Sequence, residues 1–160
     1  DGRMELGQRA LGNRSIIADP RKPQTIKVIN QKIKKRDFWM PFTPTILDKY
    51  KKKYLINQKN LDCPFMTMAF KTTNYFQNIA PATLHPSDLT TRPQILERTH
   101  NPKYYDLIKD FGLKTGAYCL LNTSLNIHGF PMACNADDAL FTLKNSELDG
   151  LIMENYLLLR

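Results

Sequence analysis

Leu120-Leu121-Asn122-Thr123-Ser124-Leu125-Asn126 sets amide and hydroxyl side chains directly after an apolar run, Tyr118 to Leu121, that reads as a buried strand. Asn, Thr and Ser offer hydrogen-bond donors and acceptors without charge. At the end of a strand in an open sheet, such groups often face a ligand. The plainer reading is a polar turn whose side chains bond their own backbone. A second concentration, Asp1 to Ser15, combines Gly2, Gly7 and Gly12 with Arg3, Arg9 and Arg14. Glycine lets backbone approach a ligand closely, and the planar arginine fork suits phosphate and carboxylate. The Lys-Ser/Thr ending of a P-loop is absent, and a solvated terminal arm is the plainer reading. A third concentration, Ile79 to Gln94, is stiffened by Pro81, Pro86 and Pro93 and sets Arg92 among hydroxyl groups. His85, alone in that loop, is read as structural.

Elements that could position these groups follow from periodicity. Ser15 to Ala18 is a short strand closed by Asp19-Pro20, and Ile26, Ile29 and Ile33 give one helical face across Thr25 to Lys34. Lys34 and Arg36 stand at that helix's exit, before the aromatic patch that runs to Phe42. Pro44 to Leu47 reads as a strand, Asp48 to Tyr54 as a lysine-rich surface helix, and Phe65 to Phe70 as a half-buried strand. Asn101-Pro102 predicts a helix start; Tyr104, Leu107, Ile108 and Phe111 supply its apolar face, and Gly112 is read as its end. Asn135, followed by Asp137 and Asp138, predicts another helix, its inner face formed by Ala136, Ala139, Leu140 and Leu143. Gly150 to Met153 and Tyr156 to Leu159 finish as strands. Strands and helices in short alternating units predict one α/β (α+β) domain, residues 1–160, with a twisted mixed sheet.

Composition narrows the partners. With 160 residues, 42% hydrophobic and 24% charged, the chain can bury a core and has little room for a second domain. The formal net charge of +8, from 23 Lys and Arg against 15 Asp and Glu, favours anions: nucleic acid, an acidic membrane surface or phosphorylated small molecules. No apolar run approaches the roughly 18 residues that cross a bilayer, so no spanning segment is expected; no membrane partner is expected either. Cys63, Cys119 and Cys134 are an odd number without metal-ligand spacing; a reducing cytoplasm is the simplest reading, and no metal is assigned to them. The first residue is Asp1, not methionine, and the chain reads as excised from something longer.

Three separated blocks agree on one family. Gly2 to Ser15, Asp88 to Gln94 (with Thr90-Thr91-Arg92-Pro93-Gln94), and Leu121 to Asn126 with Gly129 and Pro131 resemble the C-terminal domain of NodU-type O-carbamoyltransferases. That domain is similar to the YrdC fold, a twisted mixed sheet with flanking helices enclosing a basic cavity. The Lys-x-Arg and Ser-x-Asn pairs of that fold have counterparts in Lys34-Lys35-Arg36 and Ser124-Leu125-Asn126. Departures occur at Leu89, where Asp-Gly-Thr is common, at the spacing of His85 from Asp88, and at Gln8 in place of a frequent proline.

The resemblance implies a domain that takes ATP, with Mg2+ held mainly by phosphate and water, and carbamoyl phosphate. It would form carbamoyladenylate, for transfer to an acceptor hydroxyl by a separate N-terminal domain of the ASKHA fold. Iron is expected only in that N-terminal domain, which lies outside this chain. Both substrates are anions, so positioned cations and donors would carry the chemistry. The resemblance implies catalytic roles for Lys34, Arg36, Ser124 and Asn126, and substrate or nucleotide binding by Arg9, Arg14, Arg92, Asn122 and Thr123. The alternative is a nucleic-acid-binding YrdC-like module with no activity of its own; few aromatics suited to base stacking make nucleic acid the less favoured partner.

Overall fold

The computed structural model describes residues 2–34 and 40–160, apart from the side chain of Lys32. Arg36 and most of the aromatic patch therefore lie outside the described residues.

A four-stranded sheet organises the chain. β1 (Ser15–Ala18) pairs antiparallel with β6 (Cys119–Ser124), which pairs antiparallel with β2 (Thr43–Leu47); β2 then runs parallel to β5 (Gln94–Leu96). This is the expected mixed sheet. β6 runs beyond Leu121, because Asn122 is paired on both sides, with Ile17 of β1 and Thr43 of β2. Asn122, Thr123 and Ser124 thus sit inside the sheet, and only Asn126 follows it.

Side chains alternate along β6 between two faces of the sheet. Leu120 packs with Leu47 and Leu96 against Tyr104, Tyr105 and Ile108 of α4 (Pro102–Thr115). On the other face, Leu121 joins Ile16, Ile29, Ile33 and Phe42, with Ala139 and Leu143 of α5 (Ala136–Lys144) and Leu151. Cys119 joins Ile46, Tyr54, Phe70, Phe76 and Ile95. Complete burial of an aliphatic side chain such as Leu121 is worth roughly 2 kcal/mol.

The helix expected from Thr25 to Lys34 forms as α1 (Gln24–Ile29) and widens into a π-helical turn, Asn30–Lys34. Such turns interrupt regular helices and frequently occur at functional sites. Asp48–Tyr50 and α2 (Lys51–Tyr54) make the lysine-rich helix in two pieces. β3 (Leu55–Ile56), β4 (Lys71–Thr72) and α3 (Asn74–Ile79) are elements that periodicity missed. β7 (Gly150–Met153) and β8 (Tyr156–Leu159) form a hairpin. Among the described residues no helix is long and apolar enough to cross a membrane.

Two local expectations are corrected. Phe65 to Phe70 is not a strand: Met66 takes φ 54°, in the left-handed region, and only Phe70 pairs, through an isolated bridge to Thr91. Gly112 does not end α4. The helix continues to Gly116, whose φ of 80° makes the stop, while Gly112 lies in the helix against the ring of Tyr118.

Candidate functional site

Lys34, carried by the π-helical turn, is 2% exposed. Its Nζ donates to the Ser124 carbonyl (2.6 Å) and hydroxyl (3.1 Å), and to the Asn126 carbonyl (2.9 Å) and Oδ1 (2.5 Å). The Ser124 hydroxyl donates to Asn126 Oδ1 at 2.6 Å, and Asn126 Nδ2 donates to the Phe130 carbonyl at 2.6 Å. One ammonium, with three protons, thus gathers four oxygens and fixes the strand end. The Lys-x-Arg and Ser-x-Asn segments meet through Lys34.

One step along β6, Asn122 is buried and works as a donor. Its Nδ2 reaches the Ala10 carbonyl at 3.1 Å, Thr45 Oγ1 at 3.0 Å and Gln94 Oε1 at 3.5 Å. Thr45 donates its hydroxyl to Gln94 Oε1 at 2.8 Å and accepts from the Tyr104 hydroxyl at 3.1 Å. Burial raises the Tyr104 phenol above its ordinary value, which keeps that proton in place. Asn122 Oδ1 is buried and has no hydrogen-bond partner among the described residues.

Arg9 and Arg92 together line three neighbouring spaces, two of which also reach Phe42 and Thr43. A recess of about 50 Å³ is lined by both arginines with Asn122, Thr123, Ser124 and Phe42. A wider cavity of about 600 Å³ is lined by the same two arginines with Phe42, Thr43, Thr91, His85 and His128. Among the described residues neither lining contains a carboxylate. Burial, and then the charge of Arg9, pull the Arg92 guanidinium below its ordinary value. Two adjacent cations, with no acidic side chain among the described residues of the wall, suit an anion.

Of the residues singled out by sequence, the recess joins Arg9, Arg92, Asn122, Thr123 and Ser124. Lys34 and Asn126 line neither space and act on the recess through Ser124. Arg14 is elsewhere: its guanidinium donates to the carbonyls of Asn13, Gly2 and Cys134, tying the first loop to the segment before α5. Arg36 lies outside the described residues. His85, left out on sequence grounds, lines the wider cavity while its Nδ1 accepts the Ser87 N–H at 3.3 Å. Among the described residues no group of three His, Cys, Asp or Glu side chains could hold a metal ion.

Sequence reasoning gave no site role to Thr45, Tyr104, Gln94 or Glu5, although Tyr104 stood in a predicted helix face and Gln94 and Glu5 in the family's blocks. Glu5 Oε1 accepts the backbone N–H groups of Leu11 (2.7 Å), Asn13 (2.8 Å) and Arg14 (3.2 Å), closing the loop that carries Arg9. For Glu5 the available signal was an acidic residue inside an arginine-rich and glycine-rich block.

Residues 1–160 match the model of the family described as Carbamoyltransferase C-terminus, and the chain belongs to that family. It is 38% identical to the uncharacterized protein MJ1058 of Methanocaldococcus jannaschii, over 99% of this chain and 26% of that protein. It is 37% identical to nodulation protein NolO of Bradyrhizobium diazoefficiens, over 98% of this chain and 28% of that protein. Nodulation protein U of Sinorhizobium fredii is 34% identical over 84% of this chain and 24% of that protein. The chain spans about a quarter of the length of these relatives.

Proposed function

We propose that this chain is the carbamoyl-activating domain of an ATP-dependent O-carbamoyltransferase. ATP, carbamoyl phosphate and water would yield carbamoyladenylate, pyrophosphate and phosphate. Water would first split carbamoyl phosphate into carbamate and phosphate; a carbamate oxygen then bonds to the α-phosphorus of ATP as the bond from that phosphorus to pyrophosphate breaks. Transfer to an acceptor hydroxyl falls to a separate domain of the kind expected from sequence.

The observation that carries this reading is the pairing of Arg9 with Arg92 in walls whose described residues include no carboxylate. Phosphoryl chemistry asks mainly for cations and donors placed where charge accumulates on displaced oxygens. The two guanidiniums meet the phosphates, and Ser124 and Thr123, at the edge of the same recess, orient the small carbamoyl group through neutral hydrogen bonds. Lys34 holds Ser124 from behind and adds its charge. Magnesium arrives with ATP, coordinated by phosphate and water, since the described lining offers no carboxylate.

Carbamoyl-phosphate-dependent exchange of pyrophosphate into ATP by the full-length protein tests the reading. Exchange that is lost in Arg92→Ala and in Ser124→Ala is expected. A well-folded full-length protein that catalyses no exchange would sink it.

A further inference from the structure

Two like-charged guanidiniums repel until an anion arrives, so their spacing has to be imposed by the surrounding chain. Arg92 is followed two residues later by Gln94, and Arg9 two residues later by Leu11. Gln94 Nε2 donates to the Leu11 carbonyl at 3.0 Å. The bond therefore joins the two arginine-bearing segments at the same offset from each arginine.

The direction of that bond is fixed. Gln94 is 4% exposed, and its Oε1 is occupied by the Thr45 hydroxyl at 2.8 Å, whose own oxygen accepts the Tyr104 hydroxyl at 3.1 Å. With its oxygen held there, the amide can turn only its nitrogen to the loop. Leu11 is gripped from both sides: its carbonyl by Gln94 and its N–H by the Glu5 carboxylate, at 2.7 Å. Asn122 holds the preceding carbonyl, that of Ala10, at 3.1 Å.

We propose that Gln94 is a positioning residue that sets Arg9 against Arg92 at the spacing a phosphate group bridges. This inference rests on the reading of the two arginines as a phosphate site. Gln94 itself lines neither space.

Pyrophosphate binding to the full-length protein, measured by calorimetry, tests it in wild type, Gln94→Met, Arg92→Ala and the double variant. Gln94→Met is expected to weaken pyrophosphate about tenfold, the scale of one lost hydrogen bond. The double variant should bind no more weakly than Arg92→Ala alone, because Gln94 acts through the arginine pair. Thr45→Val, which removes the hydroxyl orienting Gln94, should weaken binding about threefold and decides the question if Gln94→Met does not fold. A purely structural role would lower the melting temperature and leave the dissociation constant of the folded protein unchanged. Wild-type affinity in Gln94→Met and Thr45→Val, with weakened binding in Arg92→Ala, overturns the inference alone. Unchanged affinity in Arg92→Ala overturns the phosphate reading on which it rests.

Discussion

Lys34 Nζ lies 2.6 Å from the carbonyl of Ser124 and 3.1 Å from its hydroxyl, across 90 residues of chain. The end of β6 is thus set by a buried ammonium as well as by strand pairing. Lys34→Met should destabilise the fold by about 3 kcal/mol, because buried oxygens lose a charged donor. Lys34→Arg should not restore the loss, since a planar guanidinium cannot replace a compact ammonium among four oxygens. Urea denaturation measures both variants; a change under about 0.5 kcal/mol for Lys34→Met would show that the oxygens find other partners.

Gly112 opposes two effects. In a helix interior alanine is favoured over glycine by about 1 kcal/mol. A Cβ at Gly112, however, would stand 2.2 Å from a ring carbon of Tyr118, which stacks on Tyr50 with centroids 4.0 Å apart. Overpacking of that kind costs about 1–3 kcal/mol. Gly112→Ala should therefore lower stability by about 1 kcal/mol net, checked by thermal or chemical unfolding. A gain would show that the Tyr118 ring swings aside.

Some of this was legible before any coordinates. Asn101-Pro102 and Asn135 with Asp138 start their helices as their types require, because capping depends on neighbours within three residues. The stop of α4 was misplaced because Gly112 and Gly116 both carry the local signal, and only the Tyr118 ring distinguishes them. Arg9, Arg92 and Ser124 were legible as chemical types in glycine-rich and hydroxyl-rich settings. Gln94, Thr45 and Tyr104 were not, since their partners lie 83, 49 and 59 residues away and local pattern says nothing about such pairs. Arg14 shows the converse: the right residue type in the right block, turned to structural work.

Leu89 takes φ 57°, a left-handed conformation that costs a side-chain-bearing residue about 1–2 kcal/mol. It is also 43% exposed, so little packing offsets that cost. Leu89→Gly should raise stability by about 0.5–1 kcal/mol after glycine's larger unfolded-state entropy is subtracted. Chemical denaturation reads the change; a loss would mean that contacts of the Leu89 side chain outweigh the strain.

Asp88 Oδ1 accepts the Thr90 backbone N–H at 2.9 Å and the Thr90 hydroxyl at 2.8 Å, shaping the loop that leads to Arg92. The backbone N–H first, then the hydroxyl, hold its carboxyl below the ordinary value of 3.8. A depressed carboxylate stabilises above its unfolded value, about pH 4, and the contribution disappears as pH falls through the lower folded value. NMR titration should place the Asp88 midpoint below 3.8, and Asp88→Asn should remove this acid-side dependence of loop protection. A midpoint at or above 3.8 would contradict the role of the Thr90 bonds.

The central claim is that Arg9 and Arg92 together bind phosphate beside Ser124. The most direct measurement is a crystal structure of the full-length protein soaked with ATP and carbamoyl phosphate. A phosphate group within hydrogen-bonding distance of both guanidiniums, with the carbamoyl group or adenylate beside Ser124, is the predicted result. Phosphates bound elsewhere, with the two arginines turned to solvent or to an acidic side chain, would contradict it.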